Sequence, residues 1–503
     1  MAATPGPASV AEPPARVRAA RGAGLVRAAF ENVEALAIAV VMALILKYFL
    51  IEAYKIPTGS MQPQIMGDQV VGISDRVLVN KLVYLMRDPE RYEVVVFRNP
   101  LWQRQNYIKR LVAFGGERVC IRNGDLFITP KDAAPEAEHI ARKPDSVWRA
   151  VRKDLLPSSA PLSQTFETEG HARFADRDVL LEPAKGATAS IRTRTPVKDH
   201  YLDGYHPKWV AAYLDPSTTP FVQKQYAHVG MENVTDVEFS ADVTPKAGAQ
   251  AFFVEIHEAG RVHRLELPVG TGSGSLVTQA GASSFEPEGE AAPLPALAAG
   301  SSTRVSLRNV DDELVVEIDG AVALRRPYVT RGIDPDGDPT ARDGGARVVA
   351  GASGGSVELA DVGLWRDIHY LPDGNVPISA RSSTYTVPDG EFMVLGDNTQ
   401  NSWDCRQWVA ATVKLADGRS ITGNYFNKFG NTPDSNPDYA GPGANHFRNV
   451  FGQDFVFPRD DERGDYVRTD VHSVPERMLL GKALAVFWPL PPFSPTWRLK
   501  WVR

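Results

Sequence analysis

The chain has 503 residues, 43% of them hydrophobic and 23% charged, an ordinary globular balance with more length than one domain needs. A net charge of -6 provides no basic field for nucleic acid. Two cysteines, Cys120 and Cys405, exclude a disulfide scaffold and a multi-cysteine zinc site but leave a single bridge open, and the ten histidines show no paired metal-ligand spacing.

Residues 1–32 are rich in Ala, Pro and Gly and carry Arg16, Arg18, Arg21 and Arg27, which reads as a basic tail. An apolar run follows from Ala35 to Ile51, interrupted by Lys47. It is about 17 residues long, just under the roughly 18–20 of a membrane span. A cleaved signal sequence, a buried helix and a membrane anchor compete for it. The run exceeds a typical signal-peptide core and no small-residue cleavage site follows clearly. Lys47 can snorkel toward headgroups, and the upstream arginines favour a cytoplasmic N-terminus. Residues 33–52 are therefore expected to be an uncleaved single-pass anchor, with the bulk of the chain on the outer face.

From 53 to 130 the pattern is β. Val77 and Val79 alternate with polar neighbours, Val94–Phe97 is a short apolar strand, and Tyr107–Val112 is another. Asn123-Gly124 between apolar runs predicts a hairpin. Around residue 131 a linker rich in Pro, Ala and charge begins. The stretch 131–372 shows alternation at Val237/Phe239/Ala241/Val243, at Leu265/Leu267/Val269 and at Leu314/Val316/Ile318 before an Asp319-Gly320 turn. This predicts an inserted β-sandwich whose pattern resembles a concanavalin-type jelly roll. Asp334, Asp336 and Asp338 lack the distal Glu of an EF-hand and read as an acidic surface turn. From 373 to 503 compact β character returns. It closes on an aromatic tail with Trp488, Phe493, Trp497 and Trp501, which fits a membrane interface or ordinary packing equally well.

Four ordered blocks carry chemistry. Ile56-Pro57-Thr58-Gly59-Ser60-Met61 presents a serine beside a proline and a glycine, which hold and turn the backbone. Ser74–Lys81 follows, then Tyr107-Ile108-Lys109-Arg110 with Gly116–Val119, and finally Gly396-Asp397-Asn398 through Ser402-Trp403-Asp404-Cys405-Arg406. A serine hydroxyl needs a base. No histidine lies in these blocks, so a Ser-His-Asp triad is not supported. Lysine serves if burial lowers its pKa, and Lys109 sits in an apolar strand.

In this order, the blocks resemble the type I signal (leader) peptidases, serine proteases with a Ser/Lys dyad; the match leaves the middle of the chain uncovered. The resemblance implies a mostly β catalytic domain behind one N-terminal transmembrane helix, split by the insertion. It implies Ser60 as nucleophile and Lys109 as general base, with Ser60 N–H and Thr58 as oxyanion donors. Ser402 would hydrogen-bond Lys109, Asp404 and Arg406 would pair, and Asp397 would brace the same region. Ile56, Pro57, Met61, Ile65, Tyr107 and Ile108 match positions that line the pockets for small substrate side chains. The implied activity is removal of N-terminal signal peptides from exported pre-proteins after an Ala-X-Ala-type site, at the outer face of the cytoplasmic membrane. The implied partners are those pre-proteins and the phospholipid bilayer, with no nucleic acid and neither metal nor organic cofactor. Arg91-Tyr92-Glu93 departs from the family's usual Gly-Asp, Gly115 from its proline and Cys405 from its serine. Two rivals are a self-cleaving repressor-type peptidase and an inactive peptidase that serves as a membrane-tethered binding module through the sandwich.

Overall fold

The structure is a computed structural model that describes residues 31–42, 50–67, 74–156, 161–199, 232–258, 260–281, 283–287, 293–328, 345–372, 382–414, 418–424, 444–458, 467–488 and 499–503. Within these the chain is mostly β. Residues 31–42 are helical, and among the described residues no helix is long and apolar enough to cross a membrane. The expected basic tail and much of the expected anchor, including Lys47, lie outside the described residues. The anchor's expected end is corrected. Ile51 and Glu52 open strand β1 (Ile51–Lys55), where they pair with Asn80 and Val79 of β2 (Arg76–Asn80). Their backbone groups are committed to a sheet and cannot continue a helix.

One eight-stranded sheet gathers both ends of the chain. Its order is β1, β2, Leu479–Trp488, β3 (Val94–Asn99), β4 (Trp102–Phe114), Glu391–Leu395 and Val474–Pro475, with Lys500–Trp501 paired to Leu479–Trp488. The predicted Asn123-Gly124 hairpin joins β5 (Arg118–Arg122) to β6 (Asp125–Thr129). Both turn residues have positive φ, 54° and 93°, as a two-residue hairpin loop requires. These two strands belong to a small four-stranded sheet with Ser382–Thr386 and His139–Ile140.

Between the two halves lies a pair of antiparallel sheets. One has Val237–Pro245, Thr303–Val310, Glu313–Ile318 and Val357–Arg366 among its strands; the other has Ala251–Glu258, Arg261–Pro268, Arg347–Ser353 and Thr188–Thr193. Inward residues of both, such as Phe239, Leu307 and Leu359 from the first and Phe252, Leu265 and Val348 from the second, form a single apolar cluster. That is a sandwich by construction.

The stretch read as a linker from residue 131 is packed. A short helix, Asp145–Val151, buries Val147 and Val151 in the core beside β5 and β6. Trp148 of the same helix donates its indole N–H to Glu238 in the sandwich at 2.6 Å. Polar composition concealed a wedge between the two units. The acidic turn at Asp334, Asp336 and Asp338 and the tail residues Phe493 and Trp497 lie outside the described residues.

Candidate active site

The site is built where the turn after β1 meets the middle of β4. Antiparallel register sets Lys109 opposite Val95 and Ile108 opposite Val96, so central-strand neighbours exclude water from the lysine. Lys109 and Ser60 are each only 4% exposed. The Lys109 Nζ donates to Ser60 Oγ at 2.7 Å. Burial drives the lysine pKa down, the carboxylates of Asp404 and Asp397 pull it partly back, and the balance is about 8. A neutral amine is therefore accessible near physiological pH, in contact with a hydroxyl.

The loop after Leu395 clamps the serine turn. Asn398 N–H donates to the Ser60 carbonyl at 3.1 Å, and its side-chain amide donates to the Gly59 carbonyl at 3.2 Å. A Cβ on Gly396 would fall 2.1 Å from Ser402 Oγ and 2.6 Å from the Ser60 carbonyl oxygen, so only glycine permits this approach. Gly67 plays the same part on the other side. A Cβ there would lie 2.4 Å from the Thr58 carbonyl oxygen and 2.5 Å from that of Ile56.

Around this centre sit two buried ion pairs. Arg406 meets Asp404 through Nε and Nη2, both at 2.8 Å. Burial pushes the Asp404 carboxyl up, but Arg406, the Gly396 N–H and the Ser402 hydroxyl outweigh it and hold the group below its ordinary value. The expected bond from Ser402 to Lys109 is corrected. Ser402 Oγ donates to Asp404 Oδ2 at 2.7 Å, because an ionised carboxylate is the stronger acceptor and is already fixed by Arg406. Ser402 thus reaches the lysine only through the charge of Asp404. The second pair was not foreseen. Arg110, the neighbour of Lys109 in β4, grips Asp397 through Nε and Nη2, both at 2.7 Å, and both side chains are fully buried. Nη2 also donates to Gln64 Oε1 at 2.8 Å, which ties the pair to the segment after the serine. A second cation in an apolar strand needs a partner anion, but nothing near it in the sequence says which.

The six expected pocket residues divide. Ile56, Met61, Ile65 and Ile108 lie together in one buried cluster with Val94 and Val96. Tyr107 joins a different cluster, with ring centroids 6.2 Å from Trp403 and 6.3 Å from Phe97 and Trp408. Pro57 and Thr58 are exposed on the serine turn. Tyr92, where relatives were expected to carry glycine, has a φ of 72°, the left-handed region that disfavours a side chain. Its ring is buried and its hydroxyl donates to the Ala141 carbonyl, which offsets the backbone cost. Cys120 and Cys405 are both free thiols.

Residues 29–171 match the family described as signal peptidase, peptidase S26. The chain is 35% identical over 130 residues to a probable signal peptidase I-1 of Synechocystis sp., covering 24% of this chain and 62% of that protein. It is 38% identical over 138 residues to a signal peptidase I of Pseudomonas fluorescens, covering 23% of this chain and 46% of the relative. The chain thus spans less than two thirds of the length of these relatives. Among solved structures, a carbohydrate binding module, CBM66 from Bacillus subtilis, is matched over 40% of this chain and 94% of its own, at 9% identity and a TM-score of 0.25, which adds nothing to the description of the sandwich. The segment matched by the S26 family carries both Ser60 and Lys109.

Proposed function

We propose that the chain is a membrane-bound serine endopeptidase that removes N-terminal signal peptides from exported pre-proteins. The observation that carries this reading is the 2.7 Å contact between a buried lysine amine and a buried serine hydroxyl. With a pKa near 8, a substantial minority of Lys109 is neutral at pH 7.5 and can accept the Ser60 proton. The Ser60 oxygen then attacks the scissile carbonyl and forms a tetrahedral adduct. The Ser60 N–H and the Thr58 hydroxyl face the developing oxyanion. Collapse expels the amine of the mature protein, which takes the proton from the Lys109 ammonium and leaves an acyl ester on Ser60. Water activated by the again neutral Lys109 hydrolyses the ester. Asp404, steadied by Arg406 and Ser402, and Asp397, steadied by Arg110, set the field that tunes the lysine.

The substrate site takes an extended segment with small residues at the first and third positions before the cut, an Ala-X-Ala pattern. Ile56, Met61, Ile65 and Ile108 form a close-packed apolar floor on which a larger side chain would clash, while Pro57 and Tyr107 stand at its rim. Residues 33–50 anchor the chain in the cytoplasmic membrane with the N-terminus inside and the catalytic unit outside.

The test is cleavage of a pre-protein with an Ala-X-Ala site by the full chain in detergent, beside Ser60→Ala and Lys109→Ala. Wild type should cut after the second alanine, with a rate that rises with pH through about 8 as Lys109 loses its proton. Both variants should fall by at least about 10³-fold. A wild type inert on several such substrates, or a Lys109→Ala variant with full activity, refutes the mechanism and leaves the sandwich's binding role as the leading reading.

A further inference from the structure

The loop that clamps the serine turn is itself held from the sandwich. Thr399–Asn401 forms one short helical turn directly after Asn398. Its anchors are distant in sequence. Thr399 Oγ1 donates to the His369 carbonyl at 2.7 Å, and the Gln400 side-chain amide donates to Asp199 Oδ2. Arg406 Nη1 donates to the Leu371 carbonyl at 2.7 Å and Nη2 to the Thr399 carbonyl at 3.2 Å. His369 and Leu371 follow the sandwich strand Val357–Arg366, and Asp199 follows the sandwich strand Thr188–Thr193.

Asp199 is in turn fastened to the sandwich. Its N–H donates to the Glu232 carbonyl at 2.9 Å, and its Oδ1 accepts the Glu232 N–H at 2.9 Å. Arg366, the last residue of Val357–Arg366, donates through Nη2 to the Asp199 carbonyl at 2.8 Å and through Nη1 to the Asp367 carbonyl at 2.7 Å. One guanidinium thus joins the two segments that reach the loop. Val197 and Val234, close to Asp199 and Glu232 in the chain, belong to the sandwich core. Asp199 and Arg366 are each only 2% exposed, so these bonds form where water competes little. Burial pushes the Asp199 carboxyl above its ordinary range; the charge of Arg366, the Gln400 amide and the Glu232 N–H draw it part of the way back.

We propose that Asp199, Thr399 and Gln400 are positioning residues, through which the sandwich holds the loop so that Asn398 seats the Ser60 turn. This rests on Ser60 and Lys109 being the reacting pair. The chain of contacts is short. Gln400 and Thr399 follow Asn398 directly, and Asn398 holds the Ser60 carbonyl through its N–H and the Gly59 carbonyl through its side-chain amide. On its other side the same turn leads to Ser402 and Asp404, whose carboxylate acts on Lys109. Two hydrogen bonds from neighbouring side chains to separate sandwich segments fix both the place and the rotation of the turn. A displacement of about 1 Å at a reacting group can cost about 100-fold in rate, so bonds that never touch substrate still set the rate. The sandwich is therefore a structural partner of the catalytic unit, with its own residues holding the loop that holds the serine.

The experiment uses the full chain in detergent, with a pre-protein bearing an Ala-X-Ala site, and follows both cleavage and amide hydrogen exchange over residues 396–402. Gln400→Glu sets a second carboxylate against Asp199. It should lower kcat by about 30-fold, change KM by less than about threefold, and speed exchange of that segment by about tenfold. Adding Asp199→Asn reverses the polarity of the pair: the new amide still accepts the Glu232 N–H and donates to the new carboxylate. Both readouts should then return to within about threefold of wild type, a rescue that a general loss of stability would not give. Arg192→Ala, which breaks an exposed ion pair with Glu167 on the sandwich, should leave both unchanged. If Gln400→Glu does not fold, Thr399→Val carries the test: it removes one hydroxyl from a side chain of similar shape and should lower kcat by about tenfold. Wild-type kcat in a folded Gln400→Glu or Thr399→Val, or a double variant no faster than Gln400→Glu alone, would overturn the proposal. A wild type that cleaves nothing refutes the peptidase reading instead, and unchanged exchange over 396–402 in Gln400→Glu would then show separately that the sandwich does not hold the loop.

Discussion

Replacing Lys109 by methionine should make the folded protein more stable near neutral pH while removing its activity. The lysine pKa falls from 10.5 to about 8 on folding, and burial is the main cause. Between those values the unfolded chain binds more protons than the folded one, so wild-type stability rises with pH there. Below about pH 8 the ammonium carries the full penalty. A fall of about 2.5 at 1.4 kcal/mol per unit amounts to roughly 3.5 kcal/mol. Methionine has similar length and no charge, so it escapes this penalty. It also strands the buried Ser60 hydroxyl, which loses its 2.7 Å partner at a cost of about 1 kcal/mol. The expected net gain is about 2.5 kcal/mol at pH 7, shrinking with pH and reversed above about pH 9.8. Urea unfolding of both proteins in one detergent, at pH 7 and again near pH 10, reads the difference directly. If Lys109→Met is destabilised equally at both pH values, the lysine is not held in a desolvating site and the reasoning fails.

Two further substitutions test the supports. Asp397→Ala leaves the Arg110 guanidinium buried without its carboxylate and should cost about 3–5 kcal/mol, measured by thermal unfolding; a loss below about 1 kcal/mol would mean that water reaches Arg110. Gly396→Ala should lower kcat by about 100-fold with little change in KM, because its methyl group would displace Ser402 and the Ser60 carbonyl; Gly390→Ala, with no atom within 4 Å of the added Cβ, should leave kcat unchanged.

The strands were legible because period-two alternation is a local signal, as at Val77 and Val79 or Leu314 and Val316. The Asn123-Gly124 hairpin was legible because its turn type demands those residues. Ser60 and Lys109 could be singled out from their block order, and their separation is modest. Arg110 with Asp397 could not, since partners 287 positions apart leave no trace in a window of sequence. The same holds for Asp125, Asp236 and Asp311, which only the fold brings together from separate elements. Ser402 was matched to the wrong partner because block order says which residues gather and leaves open which acceptor wins. The wedge around Trp148 was concealed by composition: proline and charge surround three residues that are fully or nearly buried.

The division of the catalytic sheet between the two ends of the chain has a kinetic side. A ribosome adds roughly 5–20 residues per second, so Asp397 emerges some tens of seconds after Arg110, with the whole sandwich made in between. During that interval β4 has no Glu391–Leu395 strand at its edge, and the serine turn has no Asn398 to clamp it. The sandwich possesses its own core and can complete itself while it waits. Once compact, it replaces a long flexible loop with a short bridge whose ends already lie close together, which lowers the entropy lost when the final strands dock. The chain's last segments therefore act as a timing device: the Ser60–Lys109 site is completed only after everything between its halves has been made and folded.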